Sequence, residues 1–222
     1  MSRSCTGREP SPALLRELPR LASKPFAPPP GLGACSDLEA RCRQLAEIAD
    51  RSGPAGPGPR WLSAAARSLR EVALPWEDHF GPPAEERSYQ LLVRSRCLEV
   101  WLIHWPCGGR LQLHDHGGAS GAFRVISGEL QETYLDARCR LAQRQVGVGQ
   151  GLGFGPHYVH DVANTHEEGA TSIHVYAPPS DRMFFYRYQG PGRLLRVGSA
   201  PFEEPEASFD EHEASFEEFE AS

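Results

Sequence analysis

The stretch Leu111–Phe123, "LQLHDHGGASGAF", places two histidines two residues apart and follows them with glycines and other small residues. The alternating residues are typical of a β-strand, and the glycines indicate a loop or bend. Residues i and i+2 of a strand lie on one face, so the imidazoles of His114 and His116 can meet one metal ion. The alternative is a pair of ordinary histidines on a polar strand face, and the surrounding sequence decides between the two.

The composition predicts one compact domain with extensions. The chain has 222 residues, of which 40% are hydrophobic and 9% aromatic, enough for one sizeable core. Its formal charge of -6 is uneven, because nine acidic residues and no Lys or Arg lie within residues 202–222. Without those nine, the 29 acidic residues fall to 20, against 23 basic ones. The arginines are scattered rather than clustered, which argues against a nucleic-acid partner.

The six cysteines never form a C-x-x-C pair, and no apolar signal core follows Met1. Reduced thiols and a cytoplasmic location are therefore expected. The longest apolar stretch, "VWLIHWP", is too short to span a bilayer, so we expect a soluble protein without a membrane partner. Residues 1–35, rich in Arg, Ser and Pro, are predicted to be a flexible N-terminal segment, with a transit peptide as the alternative.

The predicted domain covers residues 36–200. "SDLEARCRQLAEIADR" carries an apolar helical stripe formed by Leu38, Cys42, Leu45, Ala46 and Ile48. "WLSAAARSLREVAL" predicts a second helix that ends before Pro75. From Tyr89 onward, short segments rich in β-branched and aromatic residues alternate with Gly and Pro, which favours a β-sandwich or a small barrel.

Residues 201–222 are predicted to form an acidic disordered tail, because so few apolar residues stand among the acids. The alternative is a short helix or linear motif that docks on a partner through Phe209 and Phe216.

The spacing of glycines around the two histidines resembles the first motif of the cupin superfamily. Gly108 precedes His114 by six residues, and Gly121 and Gly128 follow His116 at the matching distances. Gly121 stands where these proteins usually have a metal-binding glutamate. The second cupin motif supplies a further histidine after a turn and shortly before an asparagine, and "GPHYVHDVAN" does so with His160 and Asn164.

Three neutral histidines on one face would leave about three positions open on an octahedral metal, which suits Fe(II) that binds both O2 and a substrate. Without a carboxylate ligand the full +2 charge is left for an anionic ligand, which favours a thiolate. Two other histidines, His157 and His166, compete with His160 for the third position, and Asn164 favours His160.

"SIHVYAPP" adds Ser172, His174 and Tyr176, which alternate and share a strand face. Together, H-x-H, Y-V-H-D-V-x-N and S-x-H-x-Y-x-P-P resemble the cysteine dioxygenase family over roughly residues 88–188. The resemblance implies a mainly β fold, a cupin-type small β-barrel or jelly roll with N-terminal helices. It also implies Fe(II) held by His114, His116 and His160.

The same resemblance gives the other three residues a role. Ser172, His174 and Tyr176 would form a catalytic relay beside the iron, with the Tyr176 hydroxyl reaching the substrate or O2. The alternative is that Ser172 and Tyr176 are core polar groups that satisfy each other's hydrogen bonds.

The sequence departs from the family at two positions. Mammalian-type enzymes carry a cysteine at the position of Gly121 and link it to the relay tyrosine; glycine is common in the bacterial-type branch, which this chain resembles. Relatives that use cysteine read Tyr, one residue, Arg on the strand entering the barrel, and the arginine holds the substrate carboxylate. Here Tyr89 is followed by Leu91. We expect both in the substrate pocket, with Arg94 and Arg96 facing away unless a bulge shifts the register.

The resulting hypothesis is a monomeric iron thiol dioxygenase that converts a small thiol and O2 to a sulfinic acid. Leu91 predicts poor use of free cysteine and better use of cysteamine, or of a thiol such as 3-mercaptopropionate whose carboxylate another arginine holds. Two alternatives are a metal-bound cupin that senses or binds a ligand, and an interaction protein that acts through its acidic tail. An intact relay favours the enzyme.

Overall fold

A computed structural model describes residues 35–53, 56–72 and 87–201 of the chain. Helix α1 covers Cys35–Asp50 and helix α2 covers Pro59–Glu71. Eleven strands follow: β1 Ser88–Arg94, β2 Glu99–Trp105, β3 Arg110–His114, β4 Ser120–Ser127, β5 Glu129–Leu135, β6 Leu141–Gly147, β7 Gly151–Phe154, β8 His160–Ala163, β9 Ala170–Ala177, β10 Arg182–Tyr188 and β11 Leu194–Pro201.

The strands form two antiparallel sheets. The five-stranded sheet has the order β1-β2-β9-β4-β7, and the six-stranded sheet has the order β11-β10-β3-β8-β5-β6. One apolar cluster lies between the sheets and includes Trp105, Leu111, Phe123 and Phe185. This architecture confirms the predicted mainly β fold, a cupin-type small barrel with N-terminal helices.

Side chains alternate between the two faces of the five-stranded sheet, so one face packs against the helices and the other faces the space between the sheets. In β9, Ile173 and Val175 pack with the helices, whereas Tyr176 faces the interior between the sheets. The apolar stripe of α2, which includes Leu62 and Leu69, is fully buried on the outer face of this sheet. The helices therefore close one side of the barrel and leave its interior to the polar residues of β9.

The helices differ from the sequence prediction in two details. Ile48 was expected in the buried stripe of α1 but is 40% exposed, and Ala49 is buried instead. The stripe therefore rotates by one residue at the end of the helix, where the shorter Ala49 fits against the sheet. Helix α2 begins at Pro59, a favourable residue for a first turn, and ends at Glu71.

Among the cysteines whose side chains the structure describes, Cys139 differs from the expectation of reduced thiols. Cys42, Cys97 and Cys107 are free, whereas Cys139 is disulfide-bonded. No helix among the described residues is long and apolar enough to cross a membrane.

Most of the two predicted extensions lies outside the described residues. The structure describes only Cys35 of the segment 1–35 and only Pro201 of the tail 201–222. The proposed docking residues Phe209 and Phe216 also lie outside the described part of the chain.

Candidate metal centre

Three histidines from two strands and a loop meet inside the barrel. His114 is the last residue of β3, His116 follows in the loop, and His160 begins β8 directly opposite His114. Their exposed fractions are 0%, 1% and 1%. The ligand nitrogens of these three residues, hereafter the histidine cluster, lie within 4.8 Å of one another.

Hydrogen bonds select the nitrogen that faces the centre of the cluster. His114 Nδ1 lies 2.8 Å from the carbonyl oxygen of Gln112, which can only accept, so Nδ1 carries the proton. His160 Nδ1 lies 2.8 Å from Oε1 of Glu132 and donates to that carboxylate in the same way. Each ring therefore presents the lone pair of Nε2, the arrangement of a metal-ligating histidine whose other nitrogen is held by an acceptor.

Burial keeps the rings of His114 and His116 neutral, as a metal ligand must be. Burial lowers the pKa of His114 and His116 well below the usual value, and neighbouring histidines lower it further. Among the described residues, buried Nε2 of His114 has no hydrogen-bond partner. A buried lone pair of this kind is costly unless something binds it, so the donor set fits a divalent metal with three nitrogen ligands.

Ser172, His174 and Tyr176, hereafter the relay, form a continuous chain of hydrogen bonds on the inner face of β9. The indole nitrogen of Trp105 donates to Ser172 Oγ over 2.8 Å. Ser172 Oγ lies 2.7 Å from His174 Nε2, and His174 Nδ1 lies 3.0 Å from the Tyr176 hydroxyl oxygen. All three relay residues are at most 1% exposed.

Trp105 can only donate, so Ser172 Oγ accepts from it and keeps its own hydrogen and one lone pair for His174. In the tautomer of His174 that carries its proton on Nδ1, Ser172 donates to Nε2 and Nδ1 donates to the Tyr176 oxygen. Burial, followed by the nearby His160 and Arg87, lowers the pKa of His174 to about 3, so this ring is neutral and has one proton to donate. In that tautomer the O–H of Tyr176 is directed to another acceptor.

Tyr176 brings the relay to the histidine cluster. The centres of the His116 and Tyr176 rings are 4.9 Å apart. Phe154 also packs against His116, with ring centres 4.8 Å apart. The hydroxyl at the end of the relay therefore belongs to the same enclosed space as the cluster.

Gly121 lies between Phe154 on β7 and Tyr176 on β9 and pairs with both. A Cβ at this position would lie 2.5 Å from Phe154 Cζ and 2.7 Å from Tyr176 Cδ1. Aromatic rings thus fill the place where other cupins have a ligand side chain or a cysteine. Glycine is required here for packing, and no link from residue 121 to Tyr176 can form.

Glu132 is a site residue that the sequence analysis missed. Its carboxylate is fully buried, accepts from His160 and Tyr158, and forms an ion pair with Arg144. Burial raises the pKa of Glu132, but the hydrogen bonds and charges of His160 and Arg144 outweigh it, and the pKa falls below its usual value. The sequence does contain a feature that could have pointed to Glu132. It lies two residues after Leu130 on the same strand and therefore on the same, buried face.

Tyr89 and Leu91, the two residues expected in the substrate pocket, differ in exposure. Tyr89 is 5% exposed and packs edge-on against Trp101, with ring centres 6.1 Å apart. Leu91 is 39% exposed and so does not lie in the enclosed interior, and its place in the substrate pocket stays a prediction. β1 is the edge strand of the five-stranded sheet, and its register is regular from Ser88 to Leu91 and shifts between Leu91 and Val93.

Arg94 and Arg96, the two alternatives for a carboxylate anchor, contact other groups. Arg94 pairs with buried Glu99, with 3.0 Å between Nη2 and Oε2, and Arg96 donates to the carbonyl oxygen of Asp50.

Arg87 is a second residue that the sequence analysis missed. It precedes Tyr89 by two residues and so lies on the same strand face. It is only 9% exposed, and its guanidinium lies 5.4 Å from the centre of the Trp105 ring. Burial and His160 lower the pKa of both His114 and His174, and the charge of Arg87 lowers them further. A cation is therefore buried within electrostatic reach of the cluster and the relay.

The competing histidines lie outside this interior. His157 is exposed in the turn before β8, and His166 forms an exposed ion pair with Glu129, with 2.9 Å between Nε2 and Oε1. Asn164, expected to support His160, is buried and donates to the carbonyl oxygens of Trp105 and Pro106.

The family model for cysteine dioxygenase type I matches residues 76–189, which include the whole histidine cluster and relay. The chain belongs to the cysteine dioxygenase type I family. The resemblance found in the motifs is thus confirmed.

Several solved structures are similar to parts of this chain at low identity. Oxalate oxidase in complex with the substrate analogue glycolate is 21% identical, with a TM-score of 0.34 over 36% of this chain and 41% of that chain. The Schizosaccharomyces pombe Cnp3 cupin domain is 10% identical, with a TM-score of 0.37 over 41% and 60%. An uncharacterized double-stranded β-helix protein from Klebsiella pneumoniae is 19% identical, with a TM-score of 0.40 over 58% and 95%. The chain covers less than half the length of the oxalate oxidase.

Proposed function

We propose that this member of the cysteine dioxygenase family is a mononuclear iron thiol dioxygenase. In the proposed reaction, a thiol and one O2 give a sulfinic acid: the S–H bond is lost, both oxygen atoms end on sulfur, and no other reductant is needed. The observation that carries the proposal is the histidine cluster, three buried nitrogens within 4.8 Å of one another beside the end of the relay.

Iron(II) held by the histidine cluster would supply a binding site for the thiolate and the redox chemistry that activates O2. His114 and His160 hold the lone pairs of Nε2 inward, and the buried rings of Phe154 and Phe185 would exclude water from the interior. Neutral histidines leave the charge of a divalent ion uncompensated, so an anionic sulfur binds more favourably than a neutral one.

Tyr176 is the proposed catalytic contact with the substrate. Its oxygen is held by His174, so its hydrogen can bond to the reacting thiolate or to O2 and keep the sulfur in one orientation. Trp105 and Ser172 fix the His174 ring in turn. A protein that only sensed a ligand would not require this ordered chain of donors, which favours the enzyme.

Arg87 supports a carboxylated thiol as substrate. A second positive charge in the interior makes an ammonium-bearing ligand without a carboxylate less favourable and an anionic one more favourable. Of the two outcomes expected from Leu91, the structure favours the thiol whose carboxylate another arginine holds. We propose cysteine or 3-mercaptopropionate rather than cysteamine. The cytoplasmic location and the monomeric state stay predictions.

Anaerobic reconstitution with Fe(II), followed by O2 addition, tests the function. We expect one O2 consumed for each thiol and a sulfinic acid as product by mass spectrometry, with cysteine, 3-mercaptopropionate and cysteamine compared side by side. Disulfide as the main product, or O2 consumption that does not require iron, would contradict the proposal.

A further inference from the structure

Glu132 lies next to His160 because of the pairing between strands of the six-stranded sheet. Glu132 on β5 pairs with Arg144 on β6 and with Val162 on β8. His160 precedes Val162 by two residues, so Glu132 and His160 are diagonal neighbours on one face. The carboxylate is 0% exposed and thus faces the interior together with the histidine ring.

Hydrogen-bond donors hold both oxygens of this carboxylate. Oε1 accepts from His160 Nδ1 at 2.8 Å and from the Tyr158 hydroxyl at 2.9 Å. Oε2 accepts from Arg144 Nε at 2.5 Å, and Arg144 also donates to the Tyr158 oxygen at 2.9 Å. Charge-assisted contacts of this kind keep the carboxylate ionised and its orientation fixed.

We propose that Glu132 is a positioning residue for the metal: it fixes His160 with Nδ1 protonated and Nε2 facing the ion, and places a negative charge behind that one ligand. This inference rests on the proposed metal site. A carboxylate that accepts from the distal nitrogen makes a histidine a stronger donor, and removing it weakens metal binding. Glu132 acts only through His160 and is not a ligand itself.

The groups that accept from Nδ1 of His114 and of His160 differ in charge. His114 Nδ1 is held by the neutral carbonyl of Gln112, whereas His160 Nδ1 is held by a full negative charge. Because aromatic rings fill the space beside Gly121, a carboxylate cannot reach the centre from that strand. The negative charge of Glu132 therefore does not contact the metal but lies on the far side of the His160 ring.

Zn2+ affinity, measured by competition with a chromophoric chelator on the full chain, tests this role without turnover. We expect Glu132→Gln to bind Zn2+ roughly 10- to 100-fold more weakly than the native protein. Glu129→Gln is the matched control: it makes the same change on the same strand and breaks an exposed Glu–His pair, and we expect no change. Unchanged Zn2+ affinity in a folded Glu132→Gln protein would overturn the inference.

A second measurement uses the native protein and does not depend on the variant folding. In the Zn2+-loaded protein, nitrogen NMR of the histidine rings should show His160 with Nδ1 protonated and Nε2 bound to zinc. Zinc bound through Nδ1 would overturn the inference. Tight Zn2+ binding without thiol oxidation by the Fe(II) form would contradict the proposed function alone.

Discussion

Replacing Arg87 by Gln removes the buried cation and keeps a polar side chain of similar reach. In the native protein Arg87 is 9% exposed and its guanidinium lies over the Trp105 ring, so a substrate carboxylate held there would be largely desolvated. A hydrogen bond to a charged group contributes about 1.5–3 kcal/mol. Since about 1.4 kcal/mol is a factor of ten, kcat/KM for a carboxylated thiol should fall roughly 10- to 150-fold.

The assay is O2 uptake with cysteine, 3-mercaptopropionate and cysteamine on the iron-loaded protein. Cysteamine has no carboxylate, and its ammonium is repelled by Arg87, so its kcat/KM should stay the same or rise in Arg87→Gln. The ratio between 3-mercaptopropionate and cysteamine is therefore the decisive quantity. It cancels any general loss of active protein, because both thiols are measured on one preparation.

Two control variants separate Arg87 from the other positions considered for the anchor. Arg96→Gln changes an arginine that bonds to the Asp50 carbonyl at the surface, and should leave the ratio unchanged. Leu91→Arg adds a cation at a side chain that is 39% exposed, and should also have little effect. Equal losses for all three thiols in Arg87→Gln, or a strong gain for cysteine in Leu91→Arg, would refute the reasoning.

Three further predictions follow from the interior of the barrel. Replacing any member of the histidine cluster by Ala should sharply lower iron content by metal analysis, whereas exposed His157→Ala should retain it; the reverse result for His157 and His160 would mean that the third ligand is wrong. Tyr176→Phe should keep its iron but turn over ~10- to 100-fold more slowly, since only a hydroxyl outside the ligand set is lost; unchanged turnover at saturating thiol and O2 would assign the relay to structure. Burial raises the pKa of Glu99 from 4.5 to about 7, although Arg94 opposes this, so the folded protein binds more protons than the unfolded chain between those values. The free energy of unfolding should therefore fall as pH rises through this range, and urea titrations of Glu99→Gln should show a flatter slope; an unchanged slope would exclude Glu99 as its source.

The sequence alone predicted most strands of the barrel and the residues of the histidine cluster and relay. Strand alternation has a period of two, so H-x-H and S-x-H-x-Y each define a shared face without knowledge of any partner strand. The motifs around His160 and Asn164 likewise lie within one short segment. β8, which carries His160, has only four residues and was not visible as a strand, so its histidine depended on motif resemblance.

Only the tertiary structure decided what surrounds that cluster. Glu132 meets His160 because β5 and β8 pair in one particular register, and a shift by one residue would turn the carboxylate to the outer face. Arg87 reaches Trp105 across the pairing of β1 with β2, and the register shift after Leu91 occurs within that pairing. Registers between strands distant in sequence depend on how whole sheets pack, which local periodicity does not encode. The members of the histidine cluster could therefore be predicted from neighbouring residues, whereas the charges that act on them could not.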